Sequence, residues 1–318
     1  MSLATSGPIS IGGTDPARSI NAQFGRASNA QTSMSQLYRG GGIVTSNNTN
    51  VPASGAISLS NFYNATNQFT YTISTNQTNL NLRDGAIAAG WNQSAQLLVV
   101  IDSGVYVSSN STGTPGLTVS GSFPGGVRLT NNGFIVGMGG AGGNGCSVSG
   151  SNTGSGTAGS AGGLALSVSS AISITNNGTI GGGGGGGGGG QGMAASNETT
   201  TRQAGGGGGG GGRSSTTNSS GGTGGSVATG DPGNNGNPGT SSAAGTSGAG
   251  GSRLTAPSVS AGAGGNGGGW GASGSTGANG TQGTAVNGPY SGGSAGAAVS
   301  GNSNITWVVT GTRLGAIT

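Results

Sequence analysis

The 318-residue chain has no histidine and no lysine, one cysteine, and charged side chains at only 4% of positions. Each scarcity removes a class of function. Without histidine, Ser-His-Asp and Cys-His nucleophilic sites lack their base. Without lysine no P-loop can form, and the many G-x-G-x-x-G matches follow from composition alone. The single cysteine, Cys146, excludes an intrachain disulfide framework and a cysteine-rich metal site. The five acids, Asp15, Asp84, Asp102, Glu198 and Asp231, are too scattered in sequence for paired-carboxylate hydrolysis. The nine basic residues are all arginine and stand apart, so the formal charge of +4 builds no nucleic-acid face. No apolar run approaches the length of a membrane span. The opening "MSLATSGPIS" has neither a basic start nor an apolar h-region, so synthesis and residence in a cytoplasm are expected. These absences point to a non-enzymatic protein with no cofactor, no metal and no nucleic-acid partner.

Glycine is abundant, at 79 residues, and it is ordered in the sequence. In "GAGGNGGGWGASGSTGANGTQG" every third residue from Gly262 to Gly283 is glycine. A second register runs Gly230, Gly233, Gly236, Gly239 and resumes at Gly245, Gly248 and Gly251. A flexible linker has no reason to count in threes. A left-handed helix of the polyproline II type has three residues per turn and no internal hydrogen bonds. Its backbone groups must therefore find partners in neighbouring strands, and a glycine stripe lets another backbone approach. The unbroken runs Gly181–Gly190 and Gly205–Gly212 fit any phase and suit inner positions. Collagen is rejected, because only nine prolines are present and the phase resets repeatedly.

The rest of the chain divides around this region. Residues 1–64 carry an imperfect repeat, "SMSQLY" at 33–38 and "SLSNFY" at 58–63. They read as an extended arm with too little apolar surface for its own core, ordered by packing on another subunit through Leu37, Tyr38, Phe62 and Tyr63. Residues 65–137 read as a small β domain. "QFTYTIS" alternates with the period of a half-buried strand, "LRDGAIAAGW" suits a short helix capped by Asn81, and "QLLVVIDSGVYVSS" reads as a hairpin. Residues 138–303 form the glycine bundle with loops, and 304–318 a closing strand. "VRLTNNGFIVG", "ISITNNGTIGG" and "NITWVVTGTRLG" punctuate the region as apolar strands with tight turns. The expected class is mainly β and irregular: an arm, a small β domain and a bundle of polyglycine/polyproline-II-type helices.

Interruptions of the glycine phase become chain reversals at the two bundle ends, where recognition residues are commonly carried. The candidate contact residues are Asn197, Glu198, Thr199, Arg202, Arg213, Asn218, Arg253, Leu254, Pro257, Trp270 and Tyr290. Trp270 cannot be buried by glycine alone, so it either packs on a bundle edge or stands exposed as a binding aromatic.

"SGPISIGGT", "RSINAQFGRA", "ASGAISLSNFYNAT", "NNGFIVGMGGAGGNG" and "TWVVTGTRLGAI" resemble glycine-rich virion structural proteins of tailed bacteriophages, marine and cyanobacterial phages included. In plan, the glycine tracts and variable loops are also similar to the distal tail-fibre adhesins of T-even-like phages, although the N-terminal arm differs. The resemblance implies a tail-fibre or tail-tip component in the virion, assembled in the host cytoplasm. Its implied partners are other fibre subunits, copies of itself (a trimer favoured), and a host receptor, either saccharide or outer-membrane protein. A stiff structural connector is the alternative. An ice-binding face of threefold helices ranks last, because it leaves the arm and the "NNG" strands without a role.

Overall fold

The computed structural model describes residues 2–150, 153–196, 201–215, 217–255 and 257–318. "QFTYTIS" forms the strand Gln68–Ile73, with Phe69 and Ile73 turned inward and buried. Its neighbour lies parallel to it. Gln96–Ile101 stacks on it, followed in order by Val127–Asn131, Ile172–Asn176 and Ile305–Val309. A second parallel sheet stacks Gln77–Thr78, Tyr106–Ser108, Phe134–Val136, Thr179–Gly181 and Thr312–Leu314. A third stacks Leu80–Asn81, Leu117–Val119, Leu166–Val168 and Val299–Ser300, and Ile317 bridges Val299 to continue it. Each coil of the chain thus adds one strand to each face of a three-sided parallel solenoid.

This topology corrects the expected hairpin. Gln96–Ile101 and Tyr106–Ser108 do not pair; Asp102–Gly104 turns the corner from the first sheet to the second. An apolar run followed by a turn reads alike in both cases, and the true partners lie one coil away. The expected break at residue 137 is corrected too, because the solenoid resumes at 166–181 and again at 299–317. The matched "NNG" segments are successive coils. Asn131 stacks on Asn176 in register, both fully buried, and the Asn131 amide donates to Asn176 Oδ1 at 2.8 Å. The Asn176 amide in turn donates to the carbonyls of Thr310 and Thr312 in the last coil. A polar ladder therefore satisfies the corner of an otherwise apolar interior filled by residues such as Leu97, Leu117, Leu129, Leu166 and Ile174. The helix Leu82–Ala88 leaves the first coil as expected, with the Asn81 side chain accepting from the Arg83 and Asp84 amides and Leu82 and Ala86 buried.

The glycine region consists of two excursions from one corner of this solenoid, between its second and third sheets: 137–165 and 182–298. Backbone hydrogen bonds between the tracts recur every third residue. Gly183, Gly186 and Gly189 donate to Gly163, Ser160 and Thr157. Gly184, Gly187 and Gly190 donate to Arg213, Gly210 and Gly207, while Gly185, Gly188 and Gln191 donate to Ala272, Ser275 and Ala278. The carbonyls of the same run accept from the tracts that begin at 137, 262 and 290. One glycine run thus serves six neighbours, with its backbone groups paired though fully buried. Gly205–Gly212 is bonded in the same manner to the tracts around it, the central run included. From Gly182 to Gly190 and from Gly205 to Gly212 a side chain has no room at any position. A Cβ on Gly186 would lie 1.9 Å from the Ala141 carbonyl oxygen, and one on Gly209 2.0 Å from that of Gly187.

Residues 2–66 are a compact lobe, which corrects the expected extended arm. Leu3, Ile20, Phe24, Leu37, Val51, Phe62 and neighbours form a separate apolar cluster. Short helical turns at Ile20–Gln23, Met34–Leu37 and Leu59–Phe62 concentrate these few apolar side chains at one point, which composition alone does not reveal. The lobe docks on the first solenoid coils through Thr45 Oγ1 to the Gln68 carbonyl (2.7 Å) and the Asn92 side-chain amide to the Ile43 carbonyl (3.5 Å).

Candidate functional site

Chain direction separates the two ends of the bundle. The tract that leaves the solenoid at Gly137 reaches its far end at Cys146, and the next returns from Thr157 to Gly163; the run from Gly181 ends at Gln191. The segments 147–150 with 153–156, 192–196 with 201–204, 227–231, 252–255 with 257–260 and 281–289 therefore all gather at the far end. They knit into one surface. Gly192–Ser196 pairs antiparallel with both Thr201–Ala204 and Thr284–Asn287, and Gly230–Asp231 runs parallel to 203–204. The hairpins Ser147–Ser149/Thr153–Ser155 and Ser252–Arg253/Val259–Ser260 flank that sheet. Side chains tie the loops together: the Gln203 amide donates to the Gly150 carbonyl, and its oxygen accepts from the Ala228 amide. The Asn287 amide donates to the Gly154 carbonyl at 2.9 Å.

Beneath this surface lies a small apolar cluster of Cys146, Val148 and Ala194, with Val227, Val286 and Tyr290 against it. Burial pushes the Cys146 thiol above its ordinary range, and the neighbouring Gly192 backbone and Tyr290 side chain partly offset the rise. Burial likewise raises Tyr290, with the adjacent Cys146 adding to the effect. A cleft of about 600 Å³ opens beside the cluster between the 147–155 hairpin and Ser226–Ala228. Its walls offer serine and threonine hydroxyls and small apolar groups, the means to bind a neutral polar ligand.

Among the candidates from sequence, Arg202, Arg253, Leu254, Pro257 and Tyr290 lie at this far end. Leu254 is 76% exposed and Arg253 is exposed beside it, whereas Pro257 and Tyr290 are half-buried. Asn197, Glu198 and Thr199 fall outside the described residues. Arg213, Asn218 and Trp270 lie at the opposite end, beside the solenoid and apart from the far-end loops; Asn218 is exposed there. Trp270 is 7% exposed, donates from Nε1 to the Ser214 carbonyl at 2.6 Å and sits against the stacked Tyr106 and Phe134 rings. The Arg213 guanidinium lies 3.7 Å from the centre of the Trp270 ring and donates to the Ser241 carbonyl. This tryptophan therefore seals the bundle onto the second sheet. Leu37 and Phe62, read as docking residues, are 2% and 1% exposed inside the lobe, so they hold its core instead. Sequence reasoning missed 227–229 and 281–285; "SVAT", breaking the glycine register after Gly225, is the signal for the first.

Among the described residues, no group of His, Cys, Asp and Glu could hold a metal ion, and no helix is long and apolar enough to cross a membrane. No curated protein matches the chain. A chain of the gp37–gp38 adhesin tip complex of the bacteriophage S16 long tail fiber resembles it in fold. The TM-score is 0.50 at 24% identity, over 83% of this chain and 88% of that one. The family model of the phage tail fibre adhesin Gp38 matches residues 68–318, which takes in the whole solenoid, the glycine excursions and their far-end loops. With that match spanning far more than half its length, the chain belongs to the Gp38 family of phage tail fibre adhesins.

Proposed function

We propose that the far-end surface is where this tail-fibre adhesin meets its host receptor. The observation that carries the proposal is convergence. Loops from five separated stretches of chain meet on one surface at the end of the bundle away from the solenoid. Glycine contributes no side-chain chemistry, so the tracts act as a stiff scaffold and recognition falls to the loops. Their period-three hydrogen bonding fits threefold helices of the polyglycine type. Such a bundle holds loops rigidly at little cost in core volume. The role is adhesive and non-enzymatic, exercised from the virion tail. Leu254, the most exposed large hydrophobic side chain among the described residues, and the exposed Arg253 beside it form one contact zone, and the hydroxyl-lined cleft beside Val148 and Val227 offers a second. A further fibre subunit is the expected partner away from this surface, since the similar S16 chain was solved as part of a gp37–gp38 adhesin tip complex.

The test is binding of the purified full chain to whole cells of the host. A variant with 252–260 replaced by a short Gly-Ser turn is compared with the parent at equal thermal stability. Saturable binding by the parent that the variant loses supports the proposal. Equal binding by both moves the contact to other loops, and absence of binding by a folded parent favours a stiff connector.

A further inference from the structure

The three faces of the solenoid are not equally free. Trp270 closes on the aromatic rings of the second sheet, and both glycine excursions leave from the corner between the second and third sheets. The outer face of the first sheet lies opposite that corner. Its strands hold their outward side chains in two straight rows. One runs Thr70, Leu98, Arg128, Ser173 and Thr306. The other runs Thr72, Val100, Thr130 and Thr175 across the first four strands. Nearer the lobe the outward groups are already satisfied, with the Gln68 amide donating to Gln96 Oε1 at 2.9 Å.

A cleft of about 520 Å³ lies across the two rows, from Thr70 on the first strand to Val308 on the last. Its lining holds two kinds of unused chemistry. The hydroxyls of Thr70, Thr130, Ser173 and Thr175 and the Arg128 guanidinium make no hydrogen bond or ion pair among the described residues. Elsewhere Arg18, Arg26, Arg83 and Arg213 all donate to oxygens of the chain. Arg128 is exposed, and among the described lining residues it is the only charged one. Between the polar groups lie Leu98 and Val100, half-buried, and Val308, 64% exposed.

Apolar carbons flanked by hydroxyls suit a sugar ring, which offers C–H faces and hydroxyl edges. The arginine fork suits a carboxylate or phosphate carried on that sugar. Spacing narrows the choice. Neighbouring strands lie about 4.8 Å apart, close to the length of one pyranose unit in an extended glycan. A glycan laid along the solenoid axis therefore stays in step with the strands. An extended peptide repeats its same-side side chains at about 6.6 Å and falls out of step. It also finds no free main chain, since Gln96–Ile101, Val127–Asn131 and Ile172–Asn176 each pair on both sides.

We propose that the outer face of the first sheet binds an anionic linear saccharide along the solenoid axis. Arg128 holds its acidic group, the Thr and Ser hydroxyls bond its ring hydroxyls, and Leu98, Val100 and Val308 cover its C–H faces. This site is separate from the far-end loops and does not depend on their reading as a receptor surface.

The experiment titrates the full chain with surface polysaccharide from host cells, prepared as a lipid-linked and a lipid-free fraction, at low and high salt. Arg128→Gln, the pair Thr130→Val with Thr175→Val, and the variant with 252–260 replaced are compared with the parent. Thermal melting confirms their folding; the substituted side chains of the first sheet point outward, so the fold is expected to survive. The expected result is saturable binding by the parent to at least one fraction, which identifies the source of the saccharide. Arg128→Gln should weaken it about tenfold or more and flatten its salt dependence, and the threonine pair should weaken it less. The 252–260 variant should bind polysaccharide as the parent does, whether or not it still binds cells. Absence of saturable binding to both fractions overturns the proposal, as does an Arg128→Gln variant that binds like the parent. A loss confined to the 252–260 variant places the saccharide at the far end and overturns it equally.

Discussion

The solenoid and the glycine bundle share one chain and meet along one corner, yet they are held together by opposite means. The solenoid interior is made of side chains, with Leu97, Leu129, Leu166 and Ile174 removed from water between three sheets. The bundle interior is made of backbone, where Gly181–Gly190 and Gly205–Gly212 are buried without a side chain among them. The hydrophobic effect scales with apolar area and tolerates changes of shape that conserve volume. A backbone interior has no such latitude, because each inward hydrogen bond requires two main chains to approach at a fixed distance. Side-chain cores should yield gradually to substitution, and the backbone core abruptly.

The sharpest test is therefore a single methyl group. Gly186→Ala puts a Cβ 1.9 Å from the Ala141 carbonyl oxygen, with rigid backbone on every side. The expected loss exceeds about 4 kcal/mol, in the range reserved for severe local disruption, and far-end binding should vanish with it. Gly269→Ala is the matched control, since nothing lies within 4 Å of its added Cβ; it should stay within about 0.5 kcal/mol of the parent. Thermal melting of the two variants decides the matter. If Gly186→Ala melts with the parent, the tracts are loosely packed and the contrast collapses.

In the solenoid the same contrast predicts a graded response. Leu129, 1% exposed, should cost about 2–5 kcal/mol as Leu129→Ala, whereas Leu129→Met should cost less than about 1.5 kcal/mol. Denaturant unfolding of both variants checks the ratio; equal losses would mean that the solenoid is as intolerant as the bundle. At Asn176 the solenoid interior behaves like the bundle, through hydrogen bonds. Asn176→Ala leaves the Asn131 amide only its longer contact to the Thr179 carbonyl and removes the donor to two carbonyls of the last coil, an expected loss of about 1–3 kcal/mol. A loss below about 0.5 kcal/mol would mean that water satisfies the corner, in which case the ladder adds nothing to coil stacking.

How much of this was legible in the sequence follows the same division. The bundle announces itself because its constraint acts on every third residue of one tract, so the Gly262–Gly283 phase is visible without knowing any partner. The Asn81 cap and the helix after it are local and could be read directly. The solenoid could not be read as one, because its contacts join residues far apart in sequence. Asn131 bonds Asn176 across 45 positions, and Asn176 reaches Thr312 across 136. The repeated "NNG" was visible, but a repeat does not state whether its copies stack. Trp270 illustrates the limit for the site. Its isolation among glycines marked it as special, but only the Tyr106–Phe134 stack on a distant coil determines that it packs inward.

The smallest effect concerns the apolar side-chain cluster beneath the far-end sheet. Burial raises the Cys146 thiol above its ordinary range in the folded protein. Below that range both folded and unfolded states keep the proton, and Cys146 gives stability no slope with pH. Above it the unfolded chain loses the proton first and binds fewer protons than the folded one, so stability falls as pH rises toward the raised value. Cys146→Ala should remove that slope while leaving neutral-pH stability altered only by the loss of one small buried group. Melting temperatures of both proteins across the alkaline range make the comparison. Parallel curves would mean that water reaches the thiol, and with it that the loops do not close over the end of the bundle. The far-end surface would then be a set of separate loops instead of one sheet resting on a dry seam.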